Sequence, residues 1–196
     1  MERHELRELH YITPICNIPS ILQNGILSHA RAARLPHQSV AMPVIQARRK
    51  RVCVPGGRPL HQYANLYICA RNPMLYKRRR QHTSICVLAV STAVLDLPGV
   101  VVSDSNASSD YARFAPAPDG LAIVDRDRTF ADDWRHPDQI EYWRRKAAKC
   151  AEVLVPDRVE PRFISAAYVS CEVAQQTVAA LDVNLRVTVN RHLFFV

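Results

Sequence analysis

The sequence predicts a single α+β domain that occupies the whole chain, residues 1–196. This length is typical of one domain and allows a substantial hydrophobic core. Hydrophobic residues make up 48% of the chain, a composition that excludes a largely disordered protein. Short strands and short helices are interspersed, with no internal repeat and no regular strand–helix alternation. This pattern favours an α+β fold over a βαβ fold.

In the N-terminal half, strands are predicted at residues 9–13, 63–70 and 85–90. The clearest helix runs from Asn17 to Asn24, with Asn17 at its N-cap, Pro19 in its first turn and Gly25 at its C-terminal stop. Between these elements the sequence predicts a loop at 30–43 and either a helix or a strand at 44–51.

In the C-terminal half, strands are predicted at residues 100–102, 151–155, 164–170 and 186–189, and helices at 139–149 and 172–181. Residues 115–133 contain prolines, a glycine and several aspartates, which predict a long surface loop. Loops of that length in compact domains are often functional.

The chain carries a formal charge of +8, which indicates a polyanionic partner. Its basic residues form runs at 48–51, 77–80 and 144–149. Any one run is typical of a solvated face, but three in a small domain favour nucleic acid, although an anionic membrane would also satisfy the charge. No apolar stretch reaches the roughly 20 residues that span a bilayer, and the charged N-terminus does not resemble a signal peptide. We therefore expect a cytoplasmic protein without a membrane partner.

The cysteines and histidines do not predict a metal site. The six cysteines form no C-x-x-C pair and several lie in apolar surroundings, as buried free thiols do. The eight histidines are scattered without ligand spacing. The common nucleotide-binding and hydrolase signatures are also absent.

Three features remain as candidates for function. Glu152 lies in an apolar strand, where alternation places it on one face with Leu154, opposite Val153 and Val155. An outward-facing residue of an edge strand fits that pattern equally well. Arg49, judged by pattern alone, is better explained as a basic surface residue. The segment 63–80 places tyrosines beside cations, a combination that suits single-stranded bases, although Tyr67 alone is better explained by core packing.

Several segments, taken together and in order, resemble the DarT family of DNA ADP-ribosyltransferase toxins. They are His10-Tyr11-Ile12-Thr13, Asn17 to Leu22 with Gly25, Ile45 to Arg49, Gln62 to Tyr76, Ala112-Arg113-Phe114, and Ala151 to Val155. The resemblance covers about residues 9–196. It implies the ADP-ribosyltransferase α+β fold, with two small β-sheets and flanking helices that hold NAD in a cleft.

The resemblance also implies residue roles. Glu152 corresponds to the catalytic glutamate, and Arg49 to an arginine that helps to bind NAD and is proposed to accept the proton of the base. Phosphate binding would explain Arg49 equally well, because an arginine with a pKa above about 12 is an unusual base. The remaining residues expected to bind NAD are His10, Tyr11, Ile12, Thr13, Ser20 and Tyr67. Residues 107–151 are expected to contain the substrate-recognition loop.

The chemistry agrees with a catalytic carboxylate, because cleavage of the nicotinamide–ribose bond develops positive charge on the ribose, as in glycoside hydrolysis. The sequence departs from the family at three places: His10 and Tyr11 are interchanged, Cys16 replaces a commonly acidic residue, and Ser105-Asn106 replaces a charged, histidine-containing stretch.

The resemblance thus predicts a toxin that transfers ADP-ribose from NAD to a base in single-stranded DNA, with thymine favoured, and a DarG-like macrodomain antitoxin as partner. The alternatives are transfer to guanine, RNA or protein, and a nucleic-acid-binding module without catalysis.

Overall fold

The computed structural model describes residues 1–196 and is dominated by one eight-stranded β-sheet. The strands are β1 (Leu9–Pro14), β2 (Ile26–Leu27), β3 (Tyr63–Tyr67), β4 (Ile85–Val90), β5 (Val101–Ser103), β6 (Phe114–Pro116), β7 (Glu152–Pro156), β8 (Arg158–Val159), β9 (Ile164–Val169) and β10 (Arg186–Val189). The order in the sheet is β10-β9-β4-β1-β3-β7-β5-β6, and β2 pairs with β8 in a separate ribbon. All neighbours are antiparallel except β9 and β10, which are parallel.

The α+β class is confirmed, but the expected count of two small sheets is wrong. Two four-stranded halves are present, β10-β9-β4-β1 and β3-β7-β5-β6. They are joined between β1 and β3 through a single residue pair, His10 with Tyr67, whereas β1 pairs with β4 over six residues. The two halves of the sheet are therefore continuous only at this pair. Further along β1, the strands β1 and β3 separate and leave a cleft between them.

The helices are short and lie between the strands. They are α1 (Ile18–Asn24), α2 (His29–Ala32), α3 (Pro43–Arg49), α4 (Pro73–Lys77), α5 (Arg126–Phe130), α6 (Gln139–Ala148) and α7 (Glu172–Ala179). Helix α1 ends where expected, at Gly25, which has a φ of 86°. None of these helices has both the length and the apolar character that crossing a bilayer requires.

The hydrophobic core lies mainly on one face of the sheet. A cluster of 26 buried residues packs there, including Val153 and Val155 of β7, and α1 and α7 cover it through Ile18 and Val178. Two smaller clusters occupy the opposite face, and Leu154 belongs to one of them. Alternation along β7 therefore separates Val153 and Val155 from Leu154, as the sequence predicted.

The predicted long loop at 115–133 is wrong in part. Residues 114–116 form β6, which pairs with β5, and residues 126–130 form α5. Asp125 caps this helix by accepting a hydrogen bond from the Arg128 N–H. The aspartates that indicated a loop thus include a helix cap. Likewise, the predicted loop at 30–43 begins with most of α2, and the ambiguous segment 44–51 is mainly helical, in α3.

Candidate functional site

A cleft of about 440 Å³ opens where β1 and β3 diverge. Its floor includes residues of β1, β3 and β7, and its walls include residues of α1, of the segment 37–42, of α3 and of α6. A cavity of this size lies within the range of small-molecule and cofactor sites.

Glu152 lies at the floor of this cleft, at the first position of β7. It pairs with Tyr67 of β3 on one side and with Ser103 of β5 on the other, so β7 is an internal strand. The residue is only 1% exposed. The alternative of an outward-facing edge residue is therefore wrong, because both edges of β7 are covered by neighbouring strands.

Arg49, the last residue of α3, is the ion-pair partner of Glu152. Its Nη1 donates to Oε2 at 2.9 Å and to Oε1 at 3.2 Å. The backbone N–H of Ala107 also donates to Oε1, at 3.3 Å. Arg49 is 5% exposed, so the pattern-based interpretation of a surface residue is wrong. Two charges buried together in this way must compensate each other, since an unpaired buried charge is very costly.

Five of the other residues expected to bind NAD line the cleft: Tyr11, Ile12, Thr13, Ser20 and Tyr67. His10 does not line it. The cleft begins at the next residue of β1, and the His10 Nε2 lies 3.3 Å from Oε1 of Glu8 instead. The structure thus brings the expected residues together with Glu152 and Arg49, apart from His10.

The two tyrosines of the cleft are held as neutral phenols. Burial raises the pKa of Tyr11 to about 12. Burial, reinforced by the negative charge of Glu152, raises the pKa of Tyr67 well above its ordinary value. Each ring can therefore offer an aromatic surface and a hydroxyl donor, but neither is suited to accept a proton at neutral pH.

The electrostatics of the cleft favour an anionic ligand. Glu152 is the one carboxylate among its lining residues, and Arg49 neutralises it. The lining also includes Arg48, Lys77 and Lys146, none of which forms an ion pair. Cations without an ion-pair partner, beside polar and aromatic groups, suit a ligand that carries phosphates and rings.

Two polar anchors of the cleft wall were not predicted from the sequence. Asn17, expected to cap α1, instead donates to Gln38 O at 2.7 Å and to Thr13 Oγ1 at 3.1 Å. Arg78 donates to Val40 O at 2.7 Å and 3.0 Å. Together they tie the segment 37–42 to the sheet and to α4. The sequence gives no signal of these bonds between distant segments, because most of their acceptors are backbone carbonyls, which every residue carries.

The segment 107–151, expected to hold the substrate loop, reaches the cleft at its two ends. Ala107 contacts Glu152, while Trp143, Lys146 and Ala147 of α6 line the cleft near the other end. The middle of the segment places Trp134 edge-on against Tyr76 and Phe195. Across the whole chain, no group of three or more His, Cys, Asp or Glu side chains has an arrangement suited to a metal ion.

A sheet of this topology, with a buried glutamate–arginine pair at the floor of a cationic cleft, is the arrangement expected of the ADP-ribosyltransferase class. The model of one family in this class, described as "ssDNA thymidine ADP-ribosyltransferase, DarT", matches residues 10–195. The chain belongs to the DarT family.

Relatives of known name agree with this assignment. A DNA ADP-ribosyl transferase–DNA ADP-ribosyl glycohydrolase fusion protein of Thermosipho africanus is 36% identical over 173 residues, which cover 84% of this chain and 42% of the fusion. The DNA ADP-ribosyl transferase of Thermus sp. strain 2.9 is 31% identical over 158 residues, which cover 75% of this chain and 73% of that protein. The chain therefore spans less than half of the fusion protein and about three quarters of the Thermus enzyme.

Solved structures show the same fold. Thermus sp. 2.9 DarT in complex with ADP-ribosylated ssDNA superimposes with a TM-score of 0.84 at 26% identity, covering 99% of both chains. Thermosipho africanus DarTG in complex with ADP-ribose gives a TM-score of 0.82 at 33% identity, covering 97% of this chain and 51% of that one. Thermus sp. 2.9 DarT in complex with NAD+ gives 0.79 at 24% identity, covering 97% of this chain and 98% of that one.

Proposed function

We propose that the protein transfers ADP-ribose from NAD to thymine in single-stranded DNA, releases nicotinamide, and acts as a cytoplasmic toxin through one domain, residues 1–196. The observation that carries this proposal is the buried pair of Glu152 and Arg49 at the floor of a cationic cleft in a chain of the DarT family. The Thermus relative in complex with ADP-ribosylated ssDNA supports the choice of acceptor.

Glu152 is proposed as the catalytic carboxylate. Bound NAD supplies the ADP-ribosyl group, and positive charge develops on its ribose as nicotinamide leaves. The Glu152 carboxylate is held on both sides by neighbouring strands and is oriented by Arg49 and by the Ala107 N–H. A carboxylate fixed in this way can stabilise the developing charge without reorganising during the reaction.

Arg49 is proposed to orient Glu152 and to contact the substrates from the wall of the cleft. Both oxygens of Glu152 accept hydrogen bonds from one nitrogen of Arg49, Nη1, and the residue also lines the cleft. The guanidinium has five N–H donors, so others remain for a phosphate or for the base. Acceptance of the base's proton by Arg49 stays a prediction from the family resemblance, with phosphate binding as its alternative.

The proposed NAD contacts are Tyr11, Ile12, Thr13, Ser20, Arg49 and Tyr67, because all of them line the cleft. Direct contact by His10 also stays a prediction, and it would require NAD to reach past the boundary of the cleft at Tyr11. The proposed antitoxin partner is a DarG-like macrodomain protein. The Thermosipho relative supports it, because that protein is a fusion with a DNA ADP-ribosyl glycohydrolase.

The test is incubation of the protein with labelled NAD and a single-stranded oligonucleotide, with duplex DNA, RNA and a protein mixture as alternative acceptors. We expect label on thymine in the single strand and much slower labelling of the duplex, because a stacked, paired base cannot present its ring nitrogen. Equal labelling of duplex and single strand, or label on RNA or protein alone, would contradict the proposal.

The matched variants are Arg49→Ala and Arg48→Ala, which alter adjacent arginines of α3. Arg49 is buried against Glu152, whereas Arg48 is exposed at the cleft. We expect Arg49→Ala to abolish transfer and Arg48→Ala to weaken binding of the nucleic acid only modestly. A larger loss of transfer in Arg48→Ala would contradict the assigned roles.

A further inference from the structure

Trp143 is the large aromatic side chain of α6 that stands open to solvent at the cleft. It is 60% exposed and lines the same cleft as Glu152. A single exposed apolar side chain is ordinary on a protein surface, so the observation that points to a ligand is the position of the Trp143 ring at the cleft, where an aromatic face with a polar edge suits a partner. The other tryptophan of the chain, Trp134, is only 8% exposed and packs against Tyr76 and Phe195.

The charges near Trp143 identify the chemistry of that partner. Lys146 follows three residues later in α6, so it lies on the same side of the helix. Lys146, Lys77 and Arg48 all line the cleft without a carboxylate partner. In contrast, Arg144 and Arg145 of the same helix lie within ion-pair distance of Glu141, at 3.1 Å and 3.9 Å. The side of α6 at the cleft thus combines an open aromatic ring with a lysine that lacks a carboxylate partner and whose Nζ lies 3.4 Å from the Tyr142 hydroxyl.

We infer that Trp143 is a stacking platform for a base next to the thymine that enters the cleft, and that Lys77 and Lys146 bind the phosphates on either side of it. This inference rests on the proposed function and adds to it an element that binds the strand beside the reacting base. An aromatic face stacks on any base, and cations beside it hold the backbone, which is how single strands are bound with little sequence preference. The enzyme would then require a strand rather than a free nucleoside.

The residues of the basic run Lys77–Arg80 make different contacts, and only some of them are available to a strand of DNA. Lys77 lines the cleft, but Arg78 donates to the carbonyls of Val40 and Ala41. The Arg79 guanidinium lies over the Tyr76 ring, 4.2 Å from its centroid. Arg78 is thereby committed to the protein's own backbone. Phosphate contact is expected from Lys77 and not from Arg78.

The first experiment measures binding of a labelled, random-sequence single-stranded oligonucleotide by fluorescence anisotropy. Trp143→Ala should raise Kd by about 5- to 150-fold, the range that loss of one stacked base produces. Trp143→Phe should retain most of the affinity. The matched control is Ile140→Ala, which removes a side chain of the same helix that is 56% exposed but does not line the cleft, and it should leave Kd unchanged.

Tryptophan emission gives a second, direct signal. The chain has two tryptophans. Stacking on a base should quench the emission of Trp143 in the wild type, and the quench should disappear in Trp143→Phe, where only Trp134 remains.

The salt dependence of binding tests the two lysines. The negative slope of log K against log salt should become shallower by about 0.7 in Lys77→Gln and in Lys146→Gln, and should not change in Arg78→Gln.

The outcomes separate this inference from the proposed function. If the wild type modifies the oligonucleotide but Trp143→Ala binds it with wild-type Kd, the stacking platform is refuted, and Trp143 belongs to another contact, such as a protein partner. If the wild type binds with Trp143 quenching but transfers no ADP-ribose, the inference survives and the proposed activity fails. Melting temperatures close to that of the wild type for the Trp143 variants would show that the differences arise from binding.

Discussion

Removal of the negative charge of Glu152 should cost stability as well as activity. Glu152→Gln preserves the shape of the side chain and an acceptor for the Ala107 N–H, but it leaves Arg49 as a buried charge without its partner. Because Arg49 and Glu152 are 5% and 1% exposed, solvent cannot replace the lost interaction. Breaking a buried pair by removal of one partner costs about 3–5 kcal/mol.

That loss is large enough to measure by thermal unfolding. For a domain of this length, about 1 kcal/mol shifts Tm by about 2–4 °C, so Glu152→Gln should lower Tm by about 6–20 °C. Transfer should fall by at least about 10²- to 10³-fold, the loss that follows removal of one preorganised electrostatic group. Activity alone cannot separate these effects, because a partly unfolded enzyme would also be inactive.

The double variant Arg49→Met with Glu152→Gln separates them. Both charges are then absent, and replacement of a buried ion pair by uncharged groups of similar size is often neutral for stability. We expect the double variant to recover most of the lost Tm and to remain inactive. The assay is a double-mutant cycle of unfolding free energies combined with oligonucleotide labelling at a temperature where all variants are folded.

Two results would refute this reasoning. A Glu152→Gln variant with the wild-type Tm would mean that the charge of Arg49 is not buried against it. A stable double variant that still transferred ADP-ribose would mean that Glu152 is not the catalytic carboxylate.

The remaining predictions concern the frame around the cleft. Gly25→Ala should destabilise the protein by at least about 1–3 kcal/mol, because Gly25 adopts a backbone conformation essentially restricted to glycine, and the added Cβ would lie 2.2 Å from the carbonyl oxygen of Val159; a wild-type Tm would contradict this expectation. Arg78→Gln should cost about 1–3 kcal/mol in chemical denaturation through lost bonds to the segment 37–42, and an unchanged midpoint would show that these bonds contribute nothing. Native thiol labelling should first modify the accessible cysteines, which include the half-buried Cys171, whose pKa is lowered by its hydrogen bond with Ser170. It should leave the buried ones unmodified even at mildly alkaline pH, since burial raises the pKa of two of them to about 12; rapid labelling of a buried thiol in the folded protein would contradict the fold. The exposed thiols are Cys16 and Cys53, and the buried thiols of raised pKa are Cys86 and Cys150.

Much of the fold was predictable because the strongest patterns were local. The strands at β1, β4, β7 and β10 and the helices α1, α6 and α7 were predicted to within a few residues. Helix α1 illustrates why: Pro19 near its start and Gly25 at its end act through their own backbone geometry. One error fell where a segment depended on a distant partner, because residues 114–116 form a strand beside β5. Another fell at α5, where the capping role of Asp125 was mistaken for a loop signal.

The sequence by itself determined the α+β class, the family resemblance and the face of β7 that carries Glu152. These properties follow from composition, from short motifs in order and from the two-residue period of a strand. It could not determine whether that face was solvent or a cleft, because the answer depends on which strands flank β7. The tertiary structure placed β3 and β5 there and brought Arg49 to Glu152 across 103 residues of sequence.

Dependence on distant parts of the chain also explains why a basic run cannot be interpreted as one binding surface. Arg48 and Arg49 are neighbours in sequence, yet one is exposed and the other is buried in an ion pair. Lys77 lines the cleft while Arg78 binds backbone carbonyls. The sequence determined how much positive charge the protein carries. Only the tertiary structure decided which charges remain free for a ligand, because pairing and burial depend on groups that are distant along the chain.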